Sequence, residues 1–191
     1  AEETTPDYPV HLFLSKEGYF KKITHQSLRG ADEQKLKDGD SIAYAFDTDN
    51  RAELIFFTDH AQCYRAKVAD FDTVKASALG DFLPVKLGFD DGERPIMMHI
   101  PDKESANENI IFLFEKGKGV RVPASAYETK SNRRRLTGAF SSASPVIAAI
   151  WEKEETDILI LATDGRGILI KSSLIPQKTT RTAAGVILFT L

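Results

Sequence analysis

One layout occurs four times along these 191 residues, and no other feature restricts the fold as much. An apolar run of about five residues meets a polar turn, and a second short run carrying basic residues follows. The four runs start at Val10, Glu53, Asn109 and Asp157. Aligned on Gly18, Ala61, Gly117 and Gly165, they stand 43, 56 and 48 residues apart. Such a period belongs to propeller-like or solenoid arrays, in which a unit too small to bury its own apolar faces stacks on its neighbours.

Each unit reads as β-structure. The runs are rich in Ile, Val and Phe, lack helical periodicity and are bounded by turn residues. Gly18, Gly117 and Gly165 offer the positive φ of a tight hairpin, where the second unit has Asp59, His60 and Ala61. A further strand precedes units two to four, at 41–46, 95–100 and 145–151. The expectation is that each pairs forward with the next apolar run, across polar connectors such as 47–52 and 152–156. The runs 54–57, 110–114 and 158–162 are apolar throughout rather than alternating, so both faces of each strand are expected to be covered. No helices stand ready to cover them. The predicted architecture is therefore all-β, a propeller-like array of about four blades of small antiparallel sheets. It spans 9–191 as one domain, with units near 10–46, 53–100, 109–151 and 157–191, after a linker at 1–8. A two-sheet sandwich is the competing arrangement. The terminal apolar run 186–191 reads either as an excision from a longer chain or as a strand that closes a ring.

The charge is uneven. Stretches 31–53, 90–108 and 152–157 hold 17 acidic and six basic residues, and the remainder holds 19 basic and 11 acidic, for a net charge of −3. Acid gathers at the connectors entering each apolar strand, and basic residues follow the hairpin leaving it. Those are opposite ends of a strand about 20 Å long. Blades in register then present one acidic and one basic edge, and the basic edge can draw a polyanion despite the net charge.

Motifs for catalysis are lacking. His11, His25, His60 and His99 show no metal-ligand spacing, and Asp47-Thr48-Asp49-Asn50 lacks the Gly and Glu of a calcium loop. No helix follows Gly117-Lys118-Gly119 to hold a phosphate. The single Cys63 excludes a disulfide framework or a cysteine zinc site. No apolar run is long enough to span a bilayer, and a reducing cytoplasm is the expected compartment.

Several elements together resemble a known family. The unit from Leu12 through Gly18 to Lys22, the run 54–58, and the steps Lys35-Leu36-Lys37-Asp38-Gly39-Asp40 and Leu87-Gly88-Phe89-Asp90-Asp91-Gly92-Glu93 are similar to repeats in the C-terminal domain of type IIA topoisomerase A subunits. Thr163-Asp164-Gly165-Arg166-Gly167 and Arg181-Thr182-Ala183-Ala184-Gly185-Val186 fit the same repeats. The resemblance implies a β-pinwheel whose basic outer rim binds and bends double-stranded DNA without sequence preference. It also implies a chain that is not an enzyme alone. The tyrosine nucleophile, the magnesium chemistry and the ATP-hydrolysing partner subunit would lie elsewhere, leaving this domain without a cofactor, beside the nucleoid. Its DNA contacts would be Lys16, Lys21, Lys22, Arg65, Lys67, Lys118, Arg121, Arg133, Arg134, Arg135, Arg166, Lys171 and Arg181, with no metal. The basic box of gyrase, Gln-Arg-Arg-Gly-Gly-Lys-Gly, has as its nearest counterpart the acidic stretch Gln26-Ser27-Leu28-Arg29-Gly30-Ala31-Asp32-Glu33. That departure implies topoisomerase IV-like behaviour rather than strong wrapping. A protein-interaction propeller, or a small propeller hydrolase, is the alternative.

Overall fold

The computed structural model describes residues 4–130 and 133–190; residues 1–3 of the expected linker and Leu191 of the terminal run lie outside the described residues. Two compact units emerge, one of residues 1–58 and 64–100, the other of 59–63 and 101–191. The first holds β1 (Pro9–Ser15), β2 (Tyr19–Thr24), α1 (His25–Arg29), β3 (Ile42–Asp49), β4 (Glu53–Thr58), β5 (Cys63–Lys67, Cys63 aside), β6 (Asp81–Phe82), α2 (Leu83–Lys86) and β7 (Pro95–His99). Its sheets run β3-β1-β2-β6 and β5-β4-β7. The second unit holds β8 (Asn109–Phe114), β9 (Lys118–Pro123), β10 (Arg135–Leu136), β11 (Val146–Glu152), β12 (Asp157–Leu161), β13 (Gly167–Lys171) and β14 (Val186–Ile187). Here the orders are β11-β8-β9-β14 and β12-β13. The protein is mostly β, built from small antiparallel sheets, as its repeats predict.

The pairing of the outer strands corrects the sequence reading. The strands near 41–46, 95–100 and 145–151 pair backward, onto the run already passed. β3 lies on β1 with Phe13 opposite Ala45, β7 on β4 with Phe56 opposite Met98, and β11 on β8 with Phe112 opposite Ala149. A hairpin leaves one edge of its first strand open, and the stretch 25–41 is long enough to bring β3 round to that edge. The connector that follows is then pinned where β3 ends. Asn50, buried in it, donates its side-chain amide to the Pro6 carbonyl at 2.9 Å and accepts from Lys22 Nζ at 2.8 Å. Two short strands are moreover lent to an earlier sheet. β6 follows β5 in sequence yet pairs with β2, and β14 follows β13 yet pairs with β9.

The continuous apolar runs behave as expected in the middle of the chain. Leu54 and Phe56 face Leu12, Leu14, Phe20, Tyr64 and Met98 in the core of the first unit, while Ile55 and Phe57, on the opposite face of β4, are also buried. Phe20 packs edge-on to Phe56 with ring centroids 6.3 Å apart and sits 4.2 Å from Phe71. In β8, Ile111 packs with Ile158, Ile175, Ile160 and Ile170, and Phe112 on the other side stacks on Phe140 at 4.7 Å. The fourth run departs from this. Ile158 is buried, but Leu159, Leu161 and Leu169 are 61%, 70% and 66% exposed, so the β12–β13 hairpin is covered on one face only.

Turn chemistry repeats with the sheets. Gly18, Gly117 and Gly165 have φ of +99°, +79° and +88°, and Ala61, the aligned residue of the second unit, is the single non-glycine with positive φ among the described residues, at 54°. Alanine in that region costs about 1–2 kcal/mol, so the hairpin geometry overrides its own residue there. The steps at 35–40 and 87–93 are also explained. In both, a glycine of positive φ, Gly39 or Gly92, turns the connector so that the following acid reaches a hairpin. Asp40 Oδ1 accepts from the backbone N–H of Glu17, in the β1–β2 turn, at 3.1 Å. Glu93 does the same work in the second sheet, accepting from the Tyr64 hydroxyl and the Asp90 N–H, both at 2.9 Å, and from the Thr58 hydroxyl.

In the second unit Tyr127 is buried, its hydroxyl donating to the Ala139 carbonyl at 2.7 Å. Burial pushes the phenol far above the ordinary tyrosine range. Tyr127→Phe leaves that carbonyl without its donor, and chemical denaturation is expected to show a loss of about 1–2 kcal/mol.

Candidate nucleic-acid interface

The thirteen basic residues singled out by sequence fall into three groups. Lys21 and Lys22 are buried, at 2% and 3% exposure, on the part of β2 that pairs with β1 on one edge and is bridged at Lys22 by Thr73 and Val74 on the other. Lys21 Nζ donates to the Lys35 carbonyl at 2.6 Å, and burial lowers its pKa below the usual lysine value. Lys22 Nζ donates to Asn50 Oδ1 and to the Val68 carbonyl at 3.1 Å, beneath the Tyr8 ring. These two lysines hold connectors to the first sheet, which corrects their assignment as phosphate contacts.

A second group is half-buried. Arg121 on β9 meets Glu152 Oε1 at 3.3 Å, an oxygen that also accepts from Asn109 at 3.0 Å. Arg181 donates to the Ala126 carbonyl at 3.0 Å. Arg65 lies on β5, and Lys118 opens β9.

The third group is exposed: Lys16 in the β1–β2 turn, Lys67 at the end of β5, Arg133 and Arg134 ahead of β10, Arg135 on β10, Arg166 in the β12–β13 turn and Lys171 at the end of β13. Arg135 Nε donates to Gln62 Oε1. Arg166 is braced by Asp164 at 2.8 Å and lies over the Phe189 ring at 5.3 Å. Lys171 is 3.7 Å from Glu155. Sequence reasoning passed over exposed Lys116 and Lys130; the first shares the turn that precedes Lys118, and the second shares the polar segment of the arginine triplet.

The expectation of one acidic and one basic edge is corrected by this placement. Lys16, Lys118 and Arg166 lie at hairpin tips, but Lys67 and Lys171 lie at the opposite strand ends, beside the acidic connectors. The second strand of a hairpin runs back toward its start, so a basic residue five positions past the turn is carried about 17 Å away from the tip. Charge separates instead by unit. The second unit holds 13 basic and 11 acidic residues, the first 12 basic and 17 acidic, two of its lysines being buried.

Known proteins share this architecture. A family model described as the DNA gyrase C-terminal domain, beta-propeller, matches residues 52–80 and 156–191. The chain is 26% identical over 195 residues to the DNA gyrase A subunit of Kosmotoga olearia, covering 97% of this chain and 24% of that protein. It is 25% identical over 100 residues to the DNA gyrase A subunit of Haloquadratum walsbyi, covering 49% of this chain and 12% of that one. The chain thus spans a quarter or less of these relatives' length. The crystal structure of the C-terminal domain of DNA topoisomerase IV superposes with a TM-score of 0.82 over 96% of this chain and 58% of that chain, at 18% identity. Its fold is that of the C-terminal β-pinwheel domains of gyrase and topoisomerase IV A subunits, which it also resembles in sequence. The Escherichia coli ParC C-terminal domain gives a TM-score of 0.66 over 95% of this chain and 72% of that chain, at 18% identity. The DNA gyrase A C-terminal domain gives 0.60 over 96% and 61%, at 14% identity. The pinwheel's backward-paired outer strands and lent edge strands are features of this chain that its repeat spacing alone does not reveal.

Proposed function

We propose that this domain binds double-stranded DNA without sequence preference, through its phosphates, and presents a bent segment to the separate cleavage core of a type IIA topoisomerase. The observation that carries the reading is the match of the fold, over 96% of this chain, to a topoisomerase C-terminal domain. The excess of exposed cations in the second unit supports it independently. The contacts are Lys16, Lys67, Lys118, Arg133, Arg134, Arg135, Arg166 and Lys171, with Arg65 and Arg181 at their margin. Arg121, committed to the buried Glu152, serves the fold.

Bending 20–30 base pairs costs on the order of 1–6 kcal/mol, which counterion release from these contacts offsets. In the stretch 26–33, the nearest counterpart by resemblance of the basic box of gyrase, α1 is followed by Asp32 and Glu33. The domain therefore bends DNA in the manner of topoisomerase IV, without tight wrapping. The reading gives it no cofactor. Magnesium and ATP serve the remainder of the topoisomerase and its ATPase partner subunit, the domain's partners in the nucleoid. Among the described residues no helix is long and apolar enough to cross a membrane.

Gel-shift titration of duplex DNA across salt tests the proposal. Each neutralised phosphate contributes about 0.9 to the slope of log K against log salt, so a slope of several units is expected. One shallower than about −2 leaves fewer than three phosphates in contact and favours the protein-interaction alternative.

A further inference from the structure

Histidines that are far apart along the chain meet in the first sheet. His11 on β1, Asp47 on β3 and His25 at the start of α1 each bring a ligand-capable atom within 4.8 Å of the other two. Register makes one contact: His11 and Asp47 are cross-strand partners, and His11 Nδ1 meets Asp47 Oδ1. The end of β2 makes the other. Thr24 caps α1, so the next residue, His25, stacks over His11 with ring centroids 4.0 Å apart and planes 18° apart. A second observation is independent of this proximity. His25 Nε2 is shielded from solvent and has no hydrogen-bond partner, an unfavourable state for an imidazole nitrogen unless a ligand completes it.

We propose that His11, His25 and Asp47 form a three-ligand site for a divalent transition-metal ion of the zinc class. Two imidazoles and one carboxylate are the donor set that zinc, nickel and copper prefer over calcium or magnesium, with a fourth position left to water. The exposed Asp47 gives the ion its entry path, and His11 and His25 are half-buried beneath it. Bound there, the ion ties β1, β3 and the first turn of α1 together. It thereby fixes the start of the polar stretch 26–33. A five-residue helix cannot hold itself in place.

The test is a titration of the intact chain with zinc chloride by calorimetry and with cobalt chloride by visible absorption, in the absence of DNA. Saturable binding of one ion per chain is expected, with the d–d bands of a nitrogen and oxygen environment and a melting temperature that climbs with ion concentration. His25→Ala and Asp47→Asn are each expected to weaken binding by more than the roughly 10–100-fold that loss of an outer-shell partner costs. Circular dichroism of the metal-free variants checks their fold, and should His25→Ala unfold, Asp47→Asn at its exposed position carries the test. Absence of saturable binding, or binding that either folded variant leaves unchanged, overturns the site. Neither result bears on DNA affinity.

Discussion

Replacing Glu93 with Ala is expected to lower the unfolding free energy by about 3 kcal/mol, since hydrogen bonds to a charged group contribute roughly 1.5–3 kcal/mol each and part of that is returned when a buried carboxylate is removed. Glu93 is 1% exposed, and three donors from three places in the chain converge on it: the Thr58 hydroxyl at the end of β4, the Tyr64 hydroxyl on β5 and the Asp90 N–H of its own connector. Alanine removes the acceptor of the buried Thr58 and Tyr64 hydroxyls and of the part-buried Asp90 N–H. The isosteric Glu93→Gln discriminates between loss of charge and loss of shape. Its carbonyl oxygen can keep the Tyr64 and Asp90 bonds, and its amide can donate to the Thr58 hydroxyl, so a loss of only about 1 kcal/mol is expected. Urea midpoints followed by circular dichroism, read with an unchanged m-value, provide the measurement. Equal losses for the two variants would show that the carboxylate does not organise the hairpin.

The second large effect concerns binding. Arg133→Ala, Arg134→Ala and Arg135→Ala combined are expected to flatten the salt slope of DNA binding by up to about 2.7 units, at about 0.9 per phosphate contact. At ~0.1 M salt this is a fall in affinity of up to about 500-fold, converging on the unmodified domain near ~1 M. All three arginines are exposed and adjacent, and Arg135 is oriented by Gln62. Loss of stability should be small, because exposed side chains contribute little to it. A weaker complex with an unaltered slope would remove the triplet from the phosphate contacts. Substitution of Lys21 or Lys22 should do the reverse, harming stability first, since their ammonium groups are used up on Lys35, Asn50 and Val68 carbonyl or amide oxygens.

The sequence revealed the repeat, the β-character and the hairpin turns because each depends on local chemistry: an apolar run, a breaker, a residue that tolerates positive φ. Ala61 shows that even an atypical turn residue could be placed by alignment with Gly18 and Gly117. Pairing was another matter. Whether 41–46 joins the run before it or after it depends on which sheet edge is open, and composition says nothing of edges. The same gap explains the lysines. Lys21 and Lys22 look like surface charge after a hairpin, yet β6 pairs with Tyr19 and Phe20 just before them and the connector at Thr73 and Val74 bridges Lys22 itself. It also hid His11, His25 and Asp47, whose meeting depends on strand register rather than spacing. The charge pattern failed for a geometric reason, because an antiparallel return carries Lys67 and Lys171 back to the acidic ends.

The lending of β6 and β14 changes how the molecule should respond to a cut. In a plain tandem array, trimming the tail frays the last repeat first. Here the tail residues Val186 and Ile187 are partnered with Lys118 and Gly119, and Gly185 sits close enough to the Gly119 carbonyl that even a methyl group would collide with it, at 2.2 Å. Clipping the chain after residue 184 therefore strips a rung from the β8–β9 sheet, far back along the sequence, and leaves the β12–β13 ladder intact. Within each unit, neighbouring repeats are laced to one another like overlapping shingles, and they should melt as a block rather than one at a time.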